Sequence, residues 1–235
     1  MSRQATAVLA CILAILFAAS PLFVPDFGGF DADQFPVPQQ DPAVQPAGYA
    51  FAIWGVIYLW LIVGLGYGAW QRGEDGGWHE MRKALIPSLA VGCAWLAVAV
   101  ASPVYASILI WIMLVSALVA LFRSPREDKW FASWPLGLYA GWLSAASCVS
   151  LGLLAAGYGY VDEGTAALGA IFLALVIASA VQSQLGRAPT YGIAVIWALV
   201  AVVVQNLGQN TTVAALAAGG ALALALPTFK AARNG

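Results

Sequence analysis

Charged residues are scarce in this sequence. Lysine and arginine number 10 and aspartate and glutamate 11 among 235 residues, so charged side chains make up 9% of the chain, whereas 62% of it is hydrophobic. A soluble domain typically carries about 25% charged residues, because its surface must be wetted. The deficit predicts an integral membrane protein whose main partner is the lipid bilayer. The net charge of −1 provides no basic footprint for nucleic acid.

Aspartate, glutamate, lysine, arginine and histidine are absent from all the long apolar runs. Such residues in membrane spans usually mark ion or proton pathways, so their absence argues against a proton-coupled pump. The single histidine, His79, lies between two runs, which excludes a buried histidine-ligated haem. No pair of side chains in the runs suits acid–base or nucleophilic catalysis, so we expect a protein that is not an enzyme. An enzyme would have to use residues of the connecting segments, namely Asp26, Asp31, Asp33, His79 and Glu80.

Cysteine is also rare. The three cysteines, Cys11, Cys93 and Cys148, all fall inside apolar runs. Their spacing matches neither a disulfide framework nor a zinc site, and free cysteine commonly serves as a small apolar packing residue. We therefore expect no metal site and no resident cofactor in this protein.

Eight apolar runs have about the length of a membrane-spanning helix, which needs roughly 20 residues. They lie at about residues 5–24, 47–70, 85–102, 104–122, 135–157, 165–183, 190–206 and 212–228. The sequence thus predicts an all-α polytopic membrane helix bundle with about eight transmembrane helices. The first run could instead be a cleaved signal peptide, because Arg3 precedes it and small residues follow its apolar stretch. Cleavage would leave seven helices.

The basic residues occupy alternate connections between these runs. With the N-terminus placed inside, all ten lysines and arginines fall on the inner side, and the outer connections carry acidic residues such as Asp31, Asp41 and Asp162. This distribution follows the positive-inside rule, so it predicts cytoplasmic N- and C-termini. The alanine-rich composition of the last helices indicates a bacterial inner (plasma) membrane.

Tryptophan is abundant, with ten residues in the chain. Four of them, Trp70, Trp78, Trp130 and Trp134, fall at or beyond the inner ends of the runs, where an aromatic belt is usual. Six others lie well inside the runs, where the indole N–H requires a hydrogen-bond partner. These rings should therefore face protein or a ligand.

Spacing groups several aromatic residues on shared helix faces. One stripe on the second helix repeats at three- and four-residue intervals, the fifth helix carries a pair three residues apart, and the third helix carries one tryptophan near its middle. Together they are candidates for lining one ligand cavity: Phe51, Trp54, Tyr58, Trp95, Tyr139 and Trp142. Aromatic core packing between the helices explains the same pattern without a ligand.

Small residues form a second pattern. Gly64 and Gly68 lie one turn apart on the second helix, and Gly141, Cys148 and Gly152 belong to a stripe on the fifth. Such surfaces allow helices to approach closely. Both packing inside the bundle and a homodimer are compatible with them.

Two motifs resemble the translocator protein family, also called tryptophan-rich sensory proteins (TspO/MBR). The sequence PAGYAFAIWGVIY at residues 46–58 resembles the start of that family's second helix, with its tyrosine four residues after the tryptophan. The sequence YAGWLS at residues 139–144 resembles a stretch of its fifth helix. The family's motif proline is Ile53 here, and an asparagine three residues before the third-helix tryptophan is Gly92. The phenylalanine-to-tryptophan spacing is one residue shorter.

The resemblance covers roughly residues 5–157. It implies a five-helix TspO-like core at residues 1–157 and three additional transmembrane helices at residues 158–235. Members of that family bind porphyrins and other hydrophobic ligands between their helices, so the resemblance implies a pocket lined by Trp54, Tyr58, Trp95, Tyr139 and Trp142.

We therefore expect a membrane binding protein, sensor or carrier that holds a planar hydrophobic ligand such as a porphyrin. Two alternatives stay open. One is a facilitative transporter of a neutral metabolite, since eight uncharged helices leave room for a path without ion coupling. The other is a scaffold that assembles through its glycine and alanine faces and binds no small molecule. An enzyme acting on a tetrapyrrole is the least favoured of the hypotheses.

Overall fold

The computed structural model of the protein describes residues 2–24 and 28–234, and within this part it contains eight α-helices and no strand. The all-α polytopic bundle predicted from the apolar runs is confirmed. The loop carboxylate Asp26 lies outside the described residues. The helices are α1 Arg3–Ala19, α2 Ile53–Gln71, α3 Gly76–Ala101, α4 Pro103–Arg123, α5 Ser133–Gly157, α6 Glu163–Leu185, α7 Thr190–Asn206 and α8 Thr211–Asn234.

Seven of these helices are long and apolar enough to cross a membrane when α1 and α2 are counted together with the 3₁₀ turns that adjoin them. The other, α7, is equally apolar but has 17 residues, which corresponds to about 25 Å of helix against a hydrocarbon core of about 30 Å. Short 3₁₀ turns extend two of the spans at the same end of the bundle, Ser20–Leu22 after α1 and Gly48–Ala52 before α2. The chain therefore has the helix content of a multispanning membrane protein.

Helix α3 begins nine residues before the predicted start of the third span at residue 85. Asp75 is its N-cap and accepts a hydrogen bond from the Trp78 backbone N–H at 2.8 Å, which satisfies one of the free donors of a helix start. Trp78 and Arg82 are both fully buried. The assignment of Trp78 to an aromatic belt is therefore wrong, because its ring packs between Gly68 of α2 and the Arg82 guanidinium.

Helix α5 is the centre of the bundle. Within its apolar window 72% of the residues are buried, compared with 28–44% in the other six candidate spans. It packs against α2, α4, α6 and α7, while α3 packs against α1 and α4, and α8 covers α6 and α7. A helix buried on all sides must be apolar or small all round, and α5 meets this condition with glycine, alanine, serine and leucine.

The small-residue patterns serve close packing inside the chain. A Cβ atom on Gly64 would lie 2.2 Å from the Phe131 carbonyl oxygen, and one on Gly141 would lie 2.2 Å from the Tyr191 carbonyl oxygen. Gly152 faces Ala170 in the same way at 3.0 Å. These glycines bring backbones together as small residues do in membrane bundles. A homodimer stays a prediction.

The start of α1 and the end of α8 lie at the same end of the bundle. The Arg3 guanidinium donates to the Glu74 carbonyl at 2.8 Å, which joins the start of α1 to the α2–α3 connection. Arg187, between α6 and α7, donates to the carbonyls of Leu121 and Ser124 at the end of α4. We call this end, which carries the lysines and arginines, the basic end. Its cytoplasmic orientation stays a prediction.

Asp128 organises the basic end. Its carboxylate accepts hydrogen bonds from Arg72 at 2.9 Å, from the Trp78 indole at 2.9 Å and from the Tyr67 hydroxyl at 3.3 Å. Burial by itself raises the pKa of Asp128, but the hydrogen bonds from Arg72 and Trp78 outweigh it and hold the pKa below its usual value. The carboxylate thus ties the α4–α5 connection to α2 and α3 as an anion.

The segment of residues 28–47 covers the opposite end of the bundle, and we call it the roof. Its backbone is tied to several helices. The Val37 N–H donates to the Gly157 carbonyl at 2.8 Å, and the Ala47 N–H donates to the Ala201 carbonyl at 3.1 Å. The buried Asn206 side chain donates to the Ala43 carbonyl at 2.8 Å. The roof is therefore held against α5 and α7 by paired backbone groups.

Candidate functional site

A cavity of about 280 Å³ lies inside the bundle, beneath the end that the roof covers. It is formed by the last turns of α1 and α3, the first turns of α2, and the middle of α4 and α5. Its lining is aromatic and aliphatic, and the residues are Phe17, Pro21, Val24, Phe51, Trp54, Tyr58, Trp95, Leu96, Ile110, Met113, Trp142, Leu143 and Ala146. The volume is near the lower end of the range of ligand pockets, about 300–1,000 Å³.

Five of the six residues proposed from the sequence line this cavity, namely Phe51, Trp54, Tyr58, Trp95 and Trp142. The sixth, Tyr139, does not. Tyr139 is fully buried behind the wall, and its hydroxyl is 2.7 Å from the hydroxyl of Ser88 on α3. The helical spacing of Tyr139 and Trp142 puts both on neighbouring faces of α5, but the Phe17 ring of α1, 5.9 Å away, and the Ser88 hydroxyl of α3 cover the tyrosine.

The aromatic side chains of the cavity are arranged around Trp54. Its ring stacks on Tyr58 with centroids 5.2 Å apart and planes 21° from parallel, and it meets the edge of Trp142 at 6.3 Å. Phe51 meets Trp142 edge to face at 5.9 Å. Offset-stacked and edge-to-face pairs are the favourable geometries for such rings. The walls therefore present both faces and edges of π systems to the cavity.

The indole N–H groups of the tryptophans in the spans differ in their partners. Trp60, Trp95 and Trp197 each donate to a backbone carbonyl at 2.7–3.0 Å. Within residues 2–24 and 28–234, Trp54 and Trp142 make no such bond. Both rings line the cavity, so these two donors remain available to a molecule in it. The indole N–H of Trp111 is buried without a partner, but Trp111 does not line this cavity.

Sequence reasoning missed Phe17 of α1. Its ring lines the cavity, is 3% exposed, and meets three other rings edge to face: Tyr58 at 5.0 Å, Trp54 at 5.7 Å and Tyr139 at 5.9 Å. The ring also packs on Gly92, where a Cβ atom would lie 2.8 Å from it. The sequence did contain one indication of this contact, because Gly92 stands where the family has an asparagine. A missing side chain on one helix leaves space for a large side chain on another.

A smaller cavity of about 70 Å³ lies next to the first, directly below the roof. Phe51, Trp95 and Trp142 line both cavities, so one aromatic wall separates them. The roof contributes Gly29, Phe30, Gln45 and Pro46 to the smaller one.

The chemistry available in this site is stacking and hydrogen bonding. Tyr58 is the one ionisable side chain among the described residues that line the main cavity. In the described part of the chain, no group of three or more histidine, cysteine, aspartate or glutamate side chains could hold a metal ion. The residues present can therefore bind a flat apolar molecule and donate hydrogen bonds to it, and they place no acid–base pair beside it.

Comparison with known proteins agrees with this arrangement. A family model described as TSPO-like protein matches residues 4–229, and the match covers α6, α7 and most of α8 as well as the part that carries the two motifs. No curated protein and no solved structure matches the chain. The resemblance inferred from the motifs is confirmed at the level of the family, and the chain is a membrane protein that belongs to the TSPO-like protein family.

Proposed function

We propose that this protein binds an uncharged, planar hydrophobic ligand, such as a porphyrin ester, inside the membrane and acts as a sensor or carrier for it without catalysis. The observation that carries the proposal is the pair of indole donors on Trp54 and Trp142, which lack a partner in the described structure and belong to rings that line a cavity of about 280 Å³. A flat ligand would stack on the indole faces and accept hydrogen bonds from their N–H groups.

The absence of charge in the lining supports an uncharged ligand. No lysine, arginine, aspartate or glutamate is among the described residues that line the main cavity. A carboxylate brought into such an apolar site without a cation would suffer a large desolvation penalty. A tetrapyrrole with free propionates is therefore expected to bind less tightly than its neutral ester. The size of the cavity also requires a macrocycle to use the adjoining space below the roof.

The tight packing between the cavity and the basic end favours a binding protein over a facilitative transporter. Between the cavity and the basic end, Tyr139 is bonded to Ser88, and Leu61, Leu65 and Leu89 are buried. A carrier would have to open this packed region to release a ligand at the basic end. A sensor that binds from the membrane or from the roof side needs no such opening.

The proposal is tested by titrating the detergent-purified protein with protoporphyrin dimethyl ester and following tryptophan fluorescence. We expect saturable quenching. Losing one stacked ring and one hydrogen bond should weaken binding by about tenfold or more in Trp54→Ala and in Trp142→Ala. The dissociation constant is compared rather than the amplitude, because each substitution also removes a fluorophore.

Trp70→Ala is the matched control, because Trp70 is 83% exposed at the basic end of α2. It should leave the dissociation constant unchanged. Protoporphyrin with free propionates should bind more weakly than the ester. Equal affinity in the wild type, Trp54→Ala and Trp142→Ala would contradict the assigned site, and the absence of saturable quenching in the wild type would contradict the proposed function.

A further inference from the structure

We propose that Phe17 determines which ligands the cavity accepts, by filling the space that Gly92 leaves open and by closing the cavity on the side of Tyr139. The inference rests on the proposed function, and it identifies a specificity-determining side chain on α1, outside the helices that carry the two family motifs. The inference is based on three residues: Phe17 at the cavity wall, Gly92 that leaves room for its ring, and the buried Tyr139 behind the ring.

The glycine determines where the phenylalanine ring can lie. A Cβ atom on Gly92 would be 2.8 Å from Phe17 Cε2 and 2.9 Å from Cδ2, closer than two carbon atoms can pack. Any other residue at this position of α3 would push the ring away from α3. Since Phe17 also lines the cavity, the displaced ring would move into the space that a ligand occupies.

The ring also separates Tyr139 from the cavity. Tyr139 contacts two lining rings, Phe17 at 5.9 Å and Trp54 at 6.4 Å between centroids, and has no exposed surface of its own. Removing the Phe17 ring would extend the cavity past Gly92 toward Tyr139 and its hydroxyl bond to Ser88. The extension would provide a further aromatic face and a polar group to a larger ligand.

The surrounding contacts indicate that the ring is held as a wall and is not loosely inserted. Three aromatic neighbours meet it edge to face, a geometry that contributes about 0.5–1.5 kcal/mol per pair. A ligand therefore cannot displace the ring without losing these contacts. The cavity in the wild type favours compact planar molecules over extended ones.

The test compares two uncharged probes of different size, pyrene and protoporphyrin dimethyl ester, by tryptophan fluorescence on the full-length protein in detergent. The measured quantity is the ratio of their affinities. Phe17→Ala should increase the affinity for the porphyrin ester relative to that for pyrene by about tenfold. This change corresponds to burying roughly 55 Å² more of the apolar surface of the porphyrin ester. Gly92→Ala should shift the ratio in the opposite direction, because it pushes the ring into the cavity.

Two controls accompany these variants. Phe172→Ala removes a phenylalanine of α6 that is 64% exposed, and Gly169→Ala adds a methyl group where no atom lies within 4 Å. Neither should change the ratio. If Phe17→Ala does not fold, Gly92→Ala alone decides, since the three atoms nearest to its methyl group all belong to the Phe17 ring and none to the backbone.

The outcomes separate this inference from the proposed function. Saturable binding of both probes with an unchanged affinity ratio in Phe17→Ala and Gly92→Ala would overturn the role of Phe17 and leave the proposed function standing. Opposite shifts in the two variants would support it. A wild-type protein that binds neither probe saturably would overturn the proposed function and this inference together.

Discussion

Replacing Gly141 by alanine tests the packing of α5 against α7. The added Cβ atom would lie 2.2 Å from the Tyr191 carbonyl oxygen and 2.9 Å from the Ala194 Cβ atom. Two backbones are in contact here, so no side chain can rotate away to make room. The helices must separate by about 1 Å to restore ordinary contact distances, since protein interiors are close-packed.

The expected loss of stability combines three effects. Overpacking of a well-filled core costs about 1–3 kcal/mol. Separation of the helices also stretches the buried hydrogen bond between the Ser144 and Tyr191 hydroxyls, now 2.9 Å, which is worth about 0.5–1.5 kcal/mol. Alanine offsets up to about 1 kcal/mol through its better helix propensity. The net destabilisation of Gly141→Ala is therefore about 2 kcal/mol.

The assay is the unfolding of the purified protein in mixed micelles with increasing SDS, followed by circular dichroism. Gly169→Ala is the matched control, because a methyl group on this glycine of α6 would have no atom within 4 Å. It should be as stable as the wild type or slightly more so. If Gly141→Ala unfolds at the same SDS fraction as Gly169→Ala, the close approach of α5 and α7 is wrong. A large difference would mean that the predicted segments 1–157 and 158–235 pack as one unit.

Two further predictions concern the basic end. The pKa of Asp128 is held below its unfolded value of about 3.9, so its contribution to stability is complete above pH 4 and is lost as the pH falls through the folded pKa. Unfolding at a series of pH values should therefore show an acid-side decline that is smaller in Asp128→Asn, and an equal decline would contradict the role of the carboxylate. Arg187→Lys should destabilise the protein by ~2 kcal/mol, because a lysine cannot reproduce the bonds that the guanidinium donates to Leu121, Phe122 and Ser124. If Arg187→Lys unfolds at the same SDS fraction as the wild type, these hydrogen bonds contribute nothing to stability.

Much of the architecture could be predicted from the sequence because the bilayer imposes it. A backbone in hydrocarbon must satisfy its hydrogen bonds within each segment, so a long apolar run can only become a helix. The ends of the helices were predicted less accurately than their number. Helix α3 extends back to Gly76 because Asp75 caps it and Trp78 packs inside, and hydropathy does not reveal either contact.

The candidate site was predicted in part. Spacing along one helix correctly grouped Phe51, Trp54 and Tyr58, since residues three and four apart share a face. Spacing could not show that Phe17 of another helix enters the same space. Nor could it show that Tyr139 is covered, because that depends on where Phe17 of α1 and Ser88 of α3 lie relative to α5.

The sequence by itself determined that this is a helical membrane protein, that its long apolar runs contain no charge, and that most of its tryptophans lie within them. These properties follow from transfer between water and lipid, which acts on each residue separately. Only the tertiary structure decided which indole N–H groups bind a carbonyl and which tryptophan rings line a cavity. That outcome depends on the relative positions of helices far apart in the chain, and contacts at glycines such as Gly92 and Gly141 set those positions to within about an ångström.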